Sequence, residues 1–90
     1  MVQAHIFAHG RVQGVGFRYT VQKRASALAL KGYVRNLRDG RVEILAQGSQ
    51  ERVEKLVEFL KNSPGMSYVA KLDTEWGEPD ENYSEFEIRF

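Results

Sequence analysis

A nine-residue run, Gly10-Arg11-Val12-Gln13-Gly14-Val15-Gly16-Phe17-Arg18, carries the residue types best suited to holding an anion. Glycine accepts positive φ and lets backbone approach a ligand closely, so a loop punctuated by Gly10, Gly14 and Gly16 can turn several N–H groups inward. A helix pattern follows directly, and its first turn adds unpaired N–H groups and the positive end of the helix dipole. Arg18 falls in that first turn, off the apolar stripe, where its guanidinium can fork onto two phosphate oxygens. A solvated surface arginine would occupy the same position, and glycine-containing strand-to-helix loops are common, so a phosphate cradle needs support from the rest of the chain.

Three other residues have chemistry to offer. Asn36 ends a later strand pattern just before a turn, where an asparagine amide commonly supports the turn itself. His5 and His9 lie four residues apart on one strand, which puts them on one face but not side by side, and they read as surface or half-buried residues. With no cysteine and no third histidine, no metal site is expected. The absence of cysteine also removes disulfides and thiolate nucleophiles, and a cytoplasmic location is the expectation.

The elements that must position these residues follow from periodicity. Val2 to His9 alternates as a strand, with Ala4, Ile6 and Ala8 on one face. Phe17, Val21, Ala25 and Leu28 recur at helical spacing, and Gly32 after Lys31 stops that helix. Gly32 to Asn36 and Arg41 to Gln47 are strand patterns around an Asp39-Gly40 hairpin signal, so they pair antiparallel. Ser49 suits an N-cap for a second helix carrying Val53, Leu56, Val57 and Leu60, broken by Asn62-Ser63-Pro64-Gly65. Met66 to Trp76 and Ser84 to Phe90 read as strands, with a polar loop from Gly77 to Tyr83 between them.

This order predicts an α+β fold, a ferredoxin-like split βαβ sandwich: an antiparallel sheet with two helices on one face, plus a C-terminal strand placed at the edge beside the second strand. In that topology the C-terminal ends of the first two strands share one sheet edge, roughly 10 Å apart, which brings Asn36 toward the glycine loop.

Ninety residues, 42% hydrophobic and 28% charged, are enough for one small domain, residues 1–90, with a single core. Neither a signal peptide nor a spanning segment is expected, and no membrane role. The net charge of +1 conceals an asymmetry. Residues 1–41 hold eight Lys/Arg against one acid and residues 42–90 hold five against eleven, so the halves carry +7 and −6. The basic half either steers small anions to the loop or interleaves with the acidic half.

The run from Gly10 to Arg18 resembles the first signature of the acylphosphatase family, G-x-V-Q-G-V-x-F-R. Gly32, Tyr33, Val34, Asn36, Gly40, Val42 and Gly48 match its second signature, and element order and length resemble the family throughout. Two departures are Ala8, where the family usually carries a larger aliphatic residue, and Gly16, where many relatives have cysteine. The resemblance implies a hydrolase of acyl phosphates that releases a carboxylate and inorganic phosphate. A carboxylate leaving group needs no general acid, and the signature holds no serine, cysteine, histidine or acid to serve as nucleophile, so direct attack by water is expected. In this reading Arg18 and the backbone N–H groups of Arg11, Val12, Gln13, Gly14, Val15 and Gly16 bind the phosphoryl oxygens. Asn36 orients the water, as the family's matching asparagine does. No metal or cofactor is required, and a monomer of broad acyl specificity is expected.

Two other readings stay open. RNA-recognition modules share this element order, but the strand Arg41 to Gln47 lacks their stacking aromatics, so no nucleic-acid partner is expected. A catalytically idle anion-binding module is the other, disfavoured because both Arg18 and Asn36 are present.

Overall fold

Alternation along Val2–Arg11 (β1) buries Ala4, Ile6 and Ala8 completely and leaves His5, Phe7 and His9 half-buried on the opposite face. This pattern recurs in the computed structural model, which describes residues 1–90. Helix α1 (Phe17–Ala27) buries Phe17, Val21 and Ala25 of the predicted stripe, while Leu28 is its C-cap and only half-buried. Strands β2 (Lys31–Asn36) and β3 (Val42–Gly48) form the expected hairpin, closed by a hydrogen bond from Leu37 N to Arg41 O. Helix α2 (Gln50–Lys61) starts at Ser49, whose hydroxyl accepts from Arg52 N at 3.3 Å, and buries Val53, Leu56, Val57 and Leu60. Strand β4 spans Tyr68–Gly77, two residues later at its start than alternation predicts, because Met66 and Ser67 remain in the turn after Pro64. Strand β5 spans Phe86–Arg89.

The sheet order is β4-β1-β3-β2-β5. Its first four strands pair antiparallel, with Ala4, Ile6 and Ala8 opposite Ala46, Ile44 and Val42 of β3. Strand β5 takes the expected edge beside β2 but runs parallel to it, which makes the five-stranded sheet mixed rather than wholly antiparallel. Both helices cover one face, α1 over β2 and β5, α2 over β1, β3 and β4, and one apolar core lies between the layers. No helix is long and apolar enough to cross a membrane.

The other sheet face is polar and tied together. Glu43, nearly buried, accepts from His5 Nε2 at 2.6 Å and pairs with Arg35, while Tyr33 OH donates to it at 3.4 Å. The segment 78–83 lies across this face, held by Gln47 Nε2 donating to Glu81 O and Asp80 N donating to Gln3 Oε1. His9 Nε2 lies 2.8 Å from Asp73 Oδ2, so both histidines are hydrogen-bonded to carboxylates on this side of the sheet.

Candidate active site

Strands β1, β2 and β5 run in one direction, since β1 and β2 both oppose β3 and β5 parallels β2. Their C-terminal ends therefore lie along one sheet edge. There a cavity of about 230 Å³ opens between the loop after β1, the first turn of α1 and the ends of β2 and β5. Its walls are Val12, Gly14, Gly16, Phe17, Arg18, Tyr19, Asn36, Ile88 and Phe90.

The loop's geometry explains its composition. Gly14 and Gly16 have φ of 76° and 75°, in the left-handed region that side chains strain, and a Cβ at either would meet nothing within 4 Å. Glycine serves there for backbone direction and not for space. Gly16 is the N-cap of α1 and supplies no side-chain cap, and no acid occupies the first turn. The contrast is α2, with a serine cap and Glu51 in its first turn. The start of α1 thus keeps its positive dipole end and its N–H groups uncompensated by any protein carboxylate.

Of the loop residues expected to hold phosphate, Val12, Gly14, Gly16 and Arg18 line the cavity, and Arg11, Gln13 and Val15 do not. Arg11 ends β1 opposite Tyr68, exposed. Val15 packs against the core. Gln13 has a distinct position: its Nε2 donates to Leu37 O at 2.7 Å and to Arg41 O at 2.9 Å, so its side chain fastens the loop to the β2–β3 hairpin.

Arg18 is held from one side. Its Nη1 donates to Arg89 O at 3.1 Å and its guanidinium carbon lies 4.7 Å from the Phe90 ring centroid, within cation–π range. Its remaining N–H groups have no protein acceptor. Asn36 stands across the cavity with its Oδ1 buried and without a hydrogen-bond partner. A buried acceptor left unpaired costs about 1–3 kcal/mol, and such groups are rare in folded proteins. The turn-supporting role that an asparagine here commonly plays leaves no such orphan. Arg18 and Asn36, 18 positions apart in the chain, are brought to one cavity as the topology predicts. Uncapped N–H groups, a guanidinium fork and an unpaired amide oxygen around one small volume suit a tetrahedral anion with a water beside it.

The charge asymmetry also takes shape. Arg35 and Arg41 pair with Glu43 and Asp39, but Arg11, Arg18, Lys23, Arg24, Lys31 and Arg38 are in no ion pair. The basic half is largely uncompensated and includes the arginine of the cavity. Sequence reasoning misses Tyr19, Ile88 and Phe90 as cavity residues. In the sequence Ile88 and Phe90 alternate with Phe86 as one face of a strand; in the structure Ile88 is half-buried and Phe90, past the end of β5, is exposed, and only the placement of β5 beside β2, under α1, brings them to this edge.

The fold and cavity define a class: a two-layer α+β domain with an anion-suited pocket at one sheet edge. The sequence model of the Acylphosphatase family matches residues 4–88. An acylphosphatase of Thermococcus kodakarensis is 43% identical over 79 residues, covering 88% of this chain and 87% of its own length. One from Trichormus variabilis is 43% identical over 89 residues, covering 99% and 87%. The crystal structure of acylphosphatase from Bacillus subtilis superposes with a TM-score of 0.95 at 42% identity, covering 100% of both chains. The chain belongs to the acylphosphatase family and is an enzyme of that class.

Proposed function

We propose that this enzyme hydrolyses the carboxyl–phosphate bond of acyl phosphates by direct water attack, with the phosphoryl group held by Arg18 and loop N–H groups and the water oriented by Asn36. The observation that carries this reading is Asn36 Oδ1, buried and unpaired on the wall of the cavity that Arg18, Gly14 and Gly16 also line. An amide oxygen in that state accepts a hydrogen bond from water and aims the water's lone pair at phosphorus. The water oxygen bonds to phosphorus as the bond from phosphorus to the acyl oxygen breaks. The carboxylate leaves without protonation, and the water's proton goes to a phosphate oxygen. Arg18 and the N–H groups around Arg11 to Gly16 stabilise the equatorial oxygens as charge redistributes. This field is positive without a metal ion or cofactor, and the reading is completed by a monomeric, cytoplasmic enzyme acting on a small molecule and releasing inorganic phosphate.

Hydrolysis of benzoyl phosphate, followed by absorbance, tests it. Wild type turns over the substrate, with or without a chelator, and inorganic phosphate inhibits competitively. Arg18→Ala loses both turnover, by about 10³-fold or more, and phosphate inhibition. Normal phosphate inhibition in Arg18→Ala defeats the cradle assignment, and activity abolished by the chelator defeats the metal-free mechanism.

A further inference from the structure

An acyl phosphate is an acylating agent as well as a phosphate ester analogue, because its carbonyl carbon is open to attack by an amine. The loop from Gly10 to Arg18 carries no lysine, and the first one after it is Lys23, on α1. Lys23 lies one helical turn beyond Tyr19, a residue of the cavity wall. Residues four apart share a helix face, and helical side chains lean toward the N-terminus, so Lys23 leans toward Tyr19 and the cavity behind it. Tyr19 also lines a second, open groove of about 450 Å³, whose other walls are Thr20, Lys23, Arg24, Ala27 and Phe59. Cavity and groove thus share one ring as their boundary. Within the groove Arg24 is turned onto α2, its guanidinium carbon 4.2 Å from the Phe59 ring centroid. Lys23 is exposed, has no ion-pair partner, and no carboxylate lines the groove. None of the other four lysines combines these features. Lys55 and Lys71 are tied to Glu51 and Asp73, Lys31 begins β2 at the end away from the cavity, and Lys61 closes α2 outside the groove.

We infer that Lys23 is a self-modification site, acylated by acyl phosphate held in the cradle as a slow side reaction of hydrolysis. This rests on the hydrolysis reading, because it needs a cradle that holds an acyl phosphate. In hydrolysis water attacks phosphorus; here the neutral Lys23 amine attacks the carbonyl carbon. The nitrogen–carbon bond forms, the bond from that carbon to the bridging oxygen breaks, and inorganic phosphate leaves with the electron pair. The proton lost from nitrogen passes to phosphate or solvent. The product is an N-acyl-lysine, formed with no oxidant, reductant or further reactant. Proximity supplies the preference: a carbonyl carbon fixed beside the groove is presented to Lys23 at an effective concentration that the other lysines, meeting the reagent only from solution, do not experience. Acylation neutralises one of the unpaired cations next to the cavity, so accumulated substrate leaves a lasting mark on the field around the site.

Incubation with acetyl phosphate followed by peptide mass spectrometry compares all five lysines within one sample, so depletion of the reagent by turnover cancels. Lys23 is expected to gain acetyl about tenfold faster than the mean of Lys31, Lys55, Lys61 and Lys71. Saturating inorganic phosphate, which fills the cradle, should bring Lys23 down to that mean and leave the other four unchanged. Arg18→Ala, which empties the cradle, should do the same without added phosphate. Equal rates at all five lysines overturn the proposal. So does a preference for Lys23 that survives both inorganic phosphate and Arg18→Ala, since the acyl donor then arrives from solution. In either of those cases normal turnover of acetyl phosphate leaves hydrolysis standing. Wild-type protein that turns over neither acetyl nor benzoyl phosphate overturns the hydrolysis reading itself, a result distinct from the pattern of lysine labelling.

Discussion

At the scale of single residues, Asn36 is where the proposed function would be set against stability. Its buried Oδ1 lacks a partner, a state that disfavours the fold by about 1–3 kcal/mol unless water satisfies it. If its task is to orient water, Asn36→Ala should lower kcat by about 10²–10³-fold with phosphate inhibition nearly unchanged. The same variant should unfold at an equal or higher urea midpoint, because the orphan acceptor is gone. A parallel loss of phosphate inhibition would make Asn36 a binding residue, and a marked drop in midpoint would make it a structural one. Position 36 at a strand end is readable from the sequence, and so is its side of the sheet. The unpaired state of its amide is not, because hydrogen-bond satisfaction depends on every neighbour that folding brings near.

At the scale of elements, the site is a junction between the loop after β1 and the β2–β3 hairpin, and Gln13 is the fastening. Its two hydrogen bonds reach residues 24 and 28 positions away and fix the cradle's position relative to Asn36. Gln13→Ala should raise the inhibition constant for phosphate and lower kcat, each severalfold, since a loop displaced by about an ångström costs positioning at both partners. Steady-state kinetics with phosphate titration read both; a variant with wild-type values shows that the loop holds its place by backbone alone. The sequence makes the strands, both helices, the Ser49 cap and the hairpin legible, because alternation, helical spacing and Asp-Gly chemistry are local signals. It places β5 beside β2, yet alternation is blind to strand direction, so the parallel pairing is not legible. With it goes the apolar wall of the cavity, assembled from Tyr19 on α1 and from Ile88 and Phe90 at the end of the chain. Gln13 shows the same limit: its type fits a loop, and its two carbonyl partners belong to tertiary structure.

At the scale of the whole molecule, the open sheet face adds an acid-sensitive element to stability. Burial of Glu43 works to raise its pKa, but hydrogen bonds from His5 and Arg35 outweigh that and hold it below the ordinary carboxylate value. A lowered folded pKa means stability that is fully present above the unfolded pKa and lost as pH falls through the folded one. Urea midpoints measured below about pH 5 should therefore decline less steeply in Glu43→Gln than in wild type, from a lower starting value at pH 7. An identical slope would assign acid sensitivity elsewhere; the exposed Arg41–Asp39 and His9–Asp73 pairs are too screened to supply much of it. The hydrogen bond from Arg18 to Arg89 has a consequence of another kind, in time rather than in space. It spans 71 positions, and it exists only once β5 has seated beside β2. Non-local pairings of this sort slow folding relative to domains built from local contacts. If Arg18 acts as proposed, activity requires β5 in place and so reports closure of the sheet. The single tryptophan, Trp76, lies on β4 at the opposite edge and keeps separate time. In a refolding experiment, cooperative assembly returns Trp76 fluorescence and activity together, and fluorescence running ahead would reveal a folded but inert sheet still waiting for its last strand.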